Sequence, residues 1–137
     1  MVRIDIGYEG GLRCRATHEP SKTELSTDPP VDNQGRGESF SPTDLVATAL
    51  GTCMMTIMGI VAERHEWPLE GASVQVEKHM VADPVRRIGK LDVSIRIPGG
   101  ASLDDAAKRA LEKAAHTCPV HKSLSESMEI PVTFTWA

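Results

Sequence analysis

Cysteines stand at positions 14, 53 and 118, and two of them have surroundings that suit thiol chemistry. Cys53 lies in a long apolar run, on a stripe with Val46, Ala49, Leu50, Thr56, Ile57 and Ile60 at spacings of three and four residues, the repeat of one helix face. A free cysteine there packs, taken alone, as a small hydrophobe. Cys118 is different because Pro119 disfavours helical geometry at Cys118 yet suits the first turn of a new helix through Val120, His121, Lys122 and Leu124. That places Cys118 at a helix N-cap. Unbonded amides and the positive dipole end favour a thiolate there, and His116, His121 and Lys122 supply further positive charge, so a low-pKa thiol is expected. Cys14, sharing a strand face with Leu12 and Ala16, reads as a core residue.

The same residues admit a metal site: His116, Cys118 and His121 fall within six positions, and Cys53 could complete a fourth ligand. Structural zinc draws on two paired spacings, and only one cluster is present, so no metal is expected. The chain has no phosphate-cradling glycine loop, no Ser-His-Asp order and no Cys-x-x-Cys motif. Its 15 Lys and Arg are scattered against 19 Asp and Glu, a formal net charge of -4, which leaves no basic stripe for nucleic acid or anionic lipid. Neither nucleic acid nor membrane is an expected partner. Residues 1–11, MVRIDIGYEGG, lack the apolar run of a signal peptide, and an odd set of three widely spaced cysteines is a poor disulfide framework. Both point to the cytoplasm. The length of 137 residues suits one domain, 1–137.

The elements that must position the thiols follow from periodicity. Val2, Ile4, Ile6 and Tyr8 alternate as a half-buried strand, Glu9-Gly10-Gly11 turns the chain, and Leu12, Cys14 and Ala16 return on one face. From His18 to Pro42 the chain is a long proline- and glycine-broken loop with one short strand at Thr23–Thr27. Loops of this length tend to be functional, which draws attention to GRGESFSP as part of a site, a disordered surface excursion being the alternative reading. Ser41-Pro42 opens a helix with Asp44 in its first turn, running to about Arg64. Its middle is apolar on every side, which implies burial all round. Thr48, Gly51, Thr52, Thr56 and Gly59 interrupt it too often for a membrane span. One sheet covers one side only, so more chain or a second subunit must cover the other. A hairpin follows, with Val74, Val76 and Met80 in one strand, Leu91, Val93, Ile95 and Ile97 in the next, joined across Asp83-Pro84. Ser102 and Asp105 then make a capping-box-like start to a helix with Leu103, Ala106, Ala107, Ala110, Leu111 and Ala114 inside, and Ile130, Val132, Phe134 and Trp136 share the last strand face. The order is β-β-β-α-β-β-α-β, an α+β chain.

FSPTDLVATALGTCMMTIM, followed 65 residues after its cysteine by TCPVHKSL, resembles the OsmC/Ohr superfamily of small thiol proteins over essentially the whole chain. The likeness is specific at the Ser-Pro helix start, at Gly51-Thr52-Cys53 and at Cys118-Pro119. It implies an intertwined homodimer with two central helices and sheets outside. It also implies reduction of organic hydroperoxides in oxidative-stress defence: the cysteine matching Cys53 attacks the peroxide, the one matching Cys118 resolves the sulfenic acid to a disulfide, and an external dithiol, lipoyl in several members, restores both. No resident cofactor is implied. The peroxidase members carry a Glu after the helix-opening Pro, paired with an Arg that activates the nucleophile; here Thr43 takes that place, followed by Asp44. Glu38 or Asp44 could substitute for the acid, and Arg13, Arg15 or Arg36 for the cation. A different class of function is a non-enzymatic dimer holding an apolar small molecule at its interface.

Overall fold

A computed structural model describes residues 1–137, which divide into two compact units, Met1–Val46 and Ala47–Ala137. The architecture is α+β. The first unit is a three-stranded antiparallel sheet in the order β1-β2-β3, with β1 at Ile4–Gly10, β2 at Arg13–His18 and β3 at Glu24–Thr27. Register places Ile4, Ile6 and Tyr8 opposite His18, Ala16 and Cys14, and Ala16 opposite Leu25, so the alternating apolar residues do share one face. That face is open. Ile4, Ile6, Tyr8 and Leu25 are 45–68% exposed, against the expectation of a half-buried strand. Leu12 also departs from its expected place: the turn continues through it, with φ of 65° following Gly10 and Gly11 at 85° and 60°, and β2 begins only at Arg13.

Helix α1, Pro42–His65, starts where a serine and a proline can start it. The Ser41 amide donates to Asp44 Oδ2 at 2.9 Å, and the Asp44 amide donates to Ser41 Oγ at 3.1 Å, a reciprocal cap that satisfies two helix-end donors. An 18-residue stretch of α1 has a mean hydropathy of 2.0, so length and composition alone would let it cross a bilayer. Instead Ala47, Leu50, Gly51, Met54, Met58 and Ala62 are packed inside the chain. The all-round burial expected of it is not reached within one chain: Thr52, Thr56 and Ile60 stay exposed. Thr52 Oγ1 donates to the Thr48 carbonyl and Thr56 Oγ1 to the Thr52 carbonyl, both at 2.8 Å, so these hydroxyls are absorbed by their own helix.

The second unit is built on a mixed sheet in the order β4-β5-β6: β4 at Ser73–Val81, β5 at Arg87–Ile97 and β6 at Val132–Trp136. β4 and β5 form the hairpin across Asp83-Pro84, and β6 joins β5 in parallel. As the central strand β5 is the most deeply placed, with Leu91, Val93, Ile95 and Ile97 at 0–1% exposure. Gly51 lets α1 approach this sheet closely, since a Cβ there would stand 3.0 Å from Val76 Cγ2 and 3.5 Å from the Val74 methyls. Helix α2, Asp105–His116, buries Ala107, Leu111, Ala114 and Ala115. Its cap is Asp104, whose carboxylate accepts the Ala107 amide at 2.8 Å; Ser102 lies in a preceding 3-10 turn, and Ala106 faces water rather than the core. Helix α3, Pro119–Ser123, is a single further turn before the run into β6.

Candidate active site

Cys53 is half-buried in the fourth turn of α1, between the fully buried Leu50 and Met54. Cys118 is wholly buried at the junction of two helices. Thr117 ends α2, its amide and its hydroxyl both donating to the Ala114 carbonyl, and Cys118 then turns extended, with φ of -62° and ψ of 140°, so that Pro119 can open α3. This is the N-cap geometry the Cys-Pro pair implies, and the His121 amide donates to Cys118 Sγ at 3.2 Å. The two thiols, 65 residues apart in the chain, are brought near enough for Cys53 to bear on the titration of Cys118.

The electrostatics differ from the sequence expectation. The Cys118 thiol is pushed up, not down: burial is the largest cause, and the influence of the neighbouring Cys53 adds to it, while the His121 and Val120 amides pull the other way and lose. The cap exists, but a fully buried sulfur lacks the solvent that would hold its charge. His121 is likewise lowered, first by burial and then by the neighbouring charges of His116 and Lys122, so the imidazole favours its neutral form and brings Cys118 no positive charge. His116 and His121 pack edge-on with ring centres 6.0 Å apart, and His116 also meets Phe134 at 6.3 Å. No group of three or more His, Cys, Asp or Glu side chains is gathered to hold a metal ion, so the ligand set of His116, Cys118, His121 and Cys53 does not assemble.

The acid and base candidates sort into three places. Arg13 and Glu38 are brought together as an ion pair, and Arg13 also lies 3.6 Å from Asp28. Arg15 points to a different partner set, Glu9 at 3.1 Å and Glu24 at 3.2 Å. Asp44 is engaged in the α1 cap with Ser41. Arg36 contributes its backbone amide to Asp28 Oδ1 at 3.4 Å.

Asp28 was not singled out by motif or spacing, yet it organises the loop that was. It is 1% exposed, its carboxylate accepts the Glu38 amide at 2.9 Å, and its own amide donates to the Phe40 carbonyl. Those amide bonds, that from Glu38 foremost, hold its pKa below the ordinary 3.8, and the Arg13 and Arg36 charges add to the effect. The available signal was an Asp directly before Pro29-Pro30, a residue type that commonly ties down its own loop. Lys78 is the other surprise, a charged residue in register with Val74, Val76 and Met80 on the inward face of β4.

A sequence model of the OsmC-like protein family matches residues 35–133, a span that contains α1, both cysteines and Pro119. The chain belongs to the OsmC-like family. Among solved structures, this OsmC-like chain is 42% identical to a protein of Psychrobacter arcticus 273-4 named for an osmotic stress induced and detoxification response, with a TM-score of 0.90 over 98% of this chain and 96% of that one. An organic hydroperoxide resistance protein OsmC from Legionella pneumophila shares the fold at 17% identity and a TM-score of 0.78, covering 98% and 96% of the two chains. Another organic hydroperoxide resistance protein, from Elizabethkingia anophelis, does so at 16% identity and a TM-score of 0.79, covering 100% and 96%. No curated protein sequence matches the chain.

Proposed function

We propose that this OsmC-like protein reduces organic hydroperoxides through Cys53 and Cys118. The observation that carries the reading is the approach of two thiols from distant parts of the chain, one half-buried and one wholly buried. The names of the solved relatives, two of them organic hydroperoxide resistance proteins, favour the same chemistry. In the first step the Cys53 thiolate attacks the distal peroxide oxygen. The O–O bond breaks, an S–O bond forms, and the departing alkoxide takes a proton to leave as alcohol. Cys53 is the better attacker because burial and the contact with Cys53 keep Cys118 protonated. In the second step Cys118 loses its proton and attacks the Cys53 sulfenic acid, forming the disulfide and releasing water. An external dithiol, lipoyl-type in our reading, then exchanges with the disulfide, becomes oxidised and returns both thiols.

Thr43 stands where the peroxidase pattern has an acid, and the Arg13–Glu38 pair is the nearest replacement in kind. The experiment is peroxide consumption by single variants. Wild type with a dithiol turns over. Cys118→Ser consumes about one equivalent and accumulates a trappable sulfenic acid on Cys53. Cys53→Ser consumes none. If Cys53→Ser reacts and Cys118→Ser does not, the roles are reversed; if neither substitution matters, the thiol mechanism is wrong.

The protein works, in this reading, as a cytoplasmic homodimer. The open apolar faces of β1 and α1 support that assembly, because Ile4, Ile6, Tyr8 and Ile60 would otherwise remain more than two-fifths exposed. Sedimentation at micromolar concentration is expected to give twice 14.8 kDa. A stable folded monomer would overturn it.

A further inference from the structure

We propose that the Cys53–Cys118 pair is also a redox-dependent helix cap: closing the disulfide takes the Cys118 sulfur away from the first turn of α3 and loosens residues 119–123. The inference rests on the redox pairing proposed above. It concerns a segment that pairing does not otherwise involve.

Helix α3 has five residues, too few to hold a first turn by propagation, so its termini decide whether it stays wound. Pro119 has no amide to offer, and the Lys122 amide closes the turn onto the Cys118 carbonyl at 3.2 Å. The side chain that caps it is Cys118, through the 3.2 Å contact from the His121 amide to Sγ. At the far end the Leu124 amide reaches the His121 carbonyl only at 3.4 Å. The sulfur therefore has two neighbours to serve, accepting the His121 amide at 3.2 Å while Cys53 stands near enough to affect its titration. A free thiol can serve both. A disulfide sulfur cannot, because its second bond draws it to about 2 Å from Cys53.

Oxidation removes one hydrogen from each thiol, two protons and two electrons in all. The acceptor is a hydroperoxide, which becomes alcohol and water, or in the test an azodicarboxamide such as diamide, which becomes the hydrazide. Helix α2 supplies an internal standard. Its cap is the Asp104 carboxylate on the Ala107 amide at 2.8 Å, a bond that takes no part in the redox chemistry.

The test is amide hydrogen exchange by NMR on the full chain, reduced and then oxidised with diamide, with the disulfide scored by mass after alkylation in the same samples. The His121 amide is expected to exchange about 2- to 30-fold faster when oxidised, the span that loss of an N-cap produces, while the Ala107 amide stays unchanged. Cys118→Ser keeps a capping hydroxyl and cannot form the disulfide, so its His121 amide stays protected in both conditions; Cys53→Ser keeps the sulfur cap and does the same. A disulfide that forms with no change at His121 overturns the inference and leaves the proposed function standing. Failure to form the disulfide sinks both. Equal acceleration at Ala107 would mean general loosening and would also overturn it.

Discussion

The two sheets of this protein are written in the same sequence code and end in opposite environments. In β1 and in β5 apolar residues alternate with polar ones at period two, yet Ile6 is 68% exposed and Leu91 is 0% exposed. The alternation tells which side chains share a face. Whether anything lies against that face depends on what the rest of the chain provides. The second unit holds the greater part of α1, all of α2 and both Cys53 and Cys118, while the first is tied together by charge: Arg13 to Glu38 and Asp28, Arg15 to Glu9 and Glu24. Apolar burial is strong and untouched by charge screening. Exposed ion pairs are individually weak and sensitive to it.

The largest expected effect sets one residue of each sheet against the other. Leu91→Ala removes buried methyl groups from the central strand and should cost about 2–5 kcal/mol in urea unfolding. Ile6→Ser removes nothing from a core and should appear chiefly as weaker dimerisation in sedimentation, with the unfolding slope unchanged. If Ile6→Ser costs as much as Leu91→Ala while dimer affinity stays the same, the contrast between the sheets is wrong.

A finer comparison uses one glycine in each sheet. At Gly89 an added Cβ would meet Val81 Cγ1 at 2.5 Å, beside the irregularity where His79 and Met80 pair with Lys90 and Ile88. Gly89→Ala should therefore cost about 1–3 kcal/mol through forced displacement of Val81. At Gly7 in β1 nothing stands within 4 Å of the added atom, and Gly7→Ala should be neutral or gain roughly 0.5–1 kcal/mol by restricting the unfolded chain. Thermal unfolding of the two variants checks both signs.

Much of this layout was legible beforehand, for reasons that are local. Ser41, Pro42 and Asp44 are within one turn of each other, and so are Cys118, Pro119 and His121; caps are read from neighbours in sequence, and both formed. The hairpin across Asp83-Pro84 is local too. What escaped needed distance or depth. The rise of the Cys118 thiol comes first from burial, which no window of sequence reports, and the open face of β1 depends on chain that is remote or belongs to a second copy. Asp28 escaped because its partners, the amides of Arg36 and Glu38, lie eight and ten residues on and are backbone groups with no sequence signature.

That carboxylate gives the last and smallest test of the contrast, since it makes the first unit the acid-sensitive one. The folded pKa of Asp28 lies below its ordinary 3.8, chiefly because the Glu38 amide bonds the charged form. A depressed carboxyl contributes stability that is fully present above the unfolded value and disappears as the pH falls through the folded one. Lowering the pH from 5 through 3.8 and on below should therefore free the loop from Asp28 to Phe40 first, read as faster exchange of the Glu38 amide, while amides of β5 stay protected. Asp28→Asn has one carbonyl oxygen where two backbone amides now find two, so one of them loses its acceptor at every pH. Its Glu38 amide should exchange a few-fold faster already near neutrality and show little further change on acidification over that range. A variant that keeps the wild-type acid response would show that another group carries it, and a wild type whose β5 amides open together with the loop would show that the two units do not differ in what holds them.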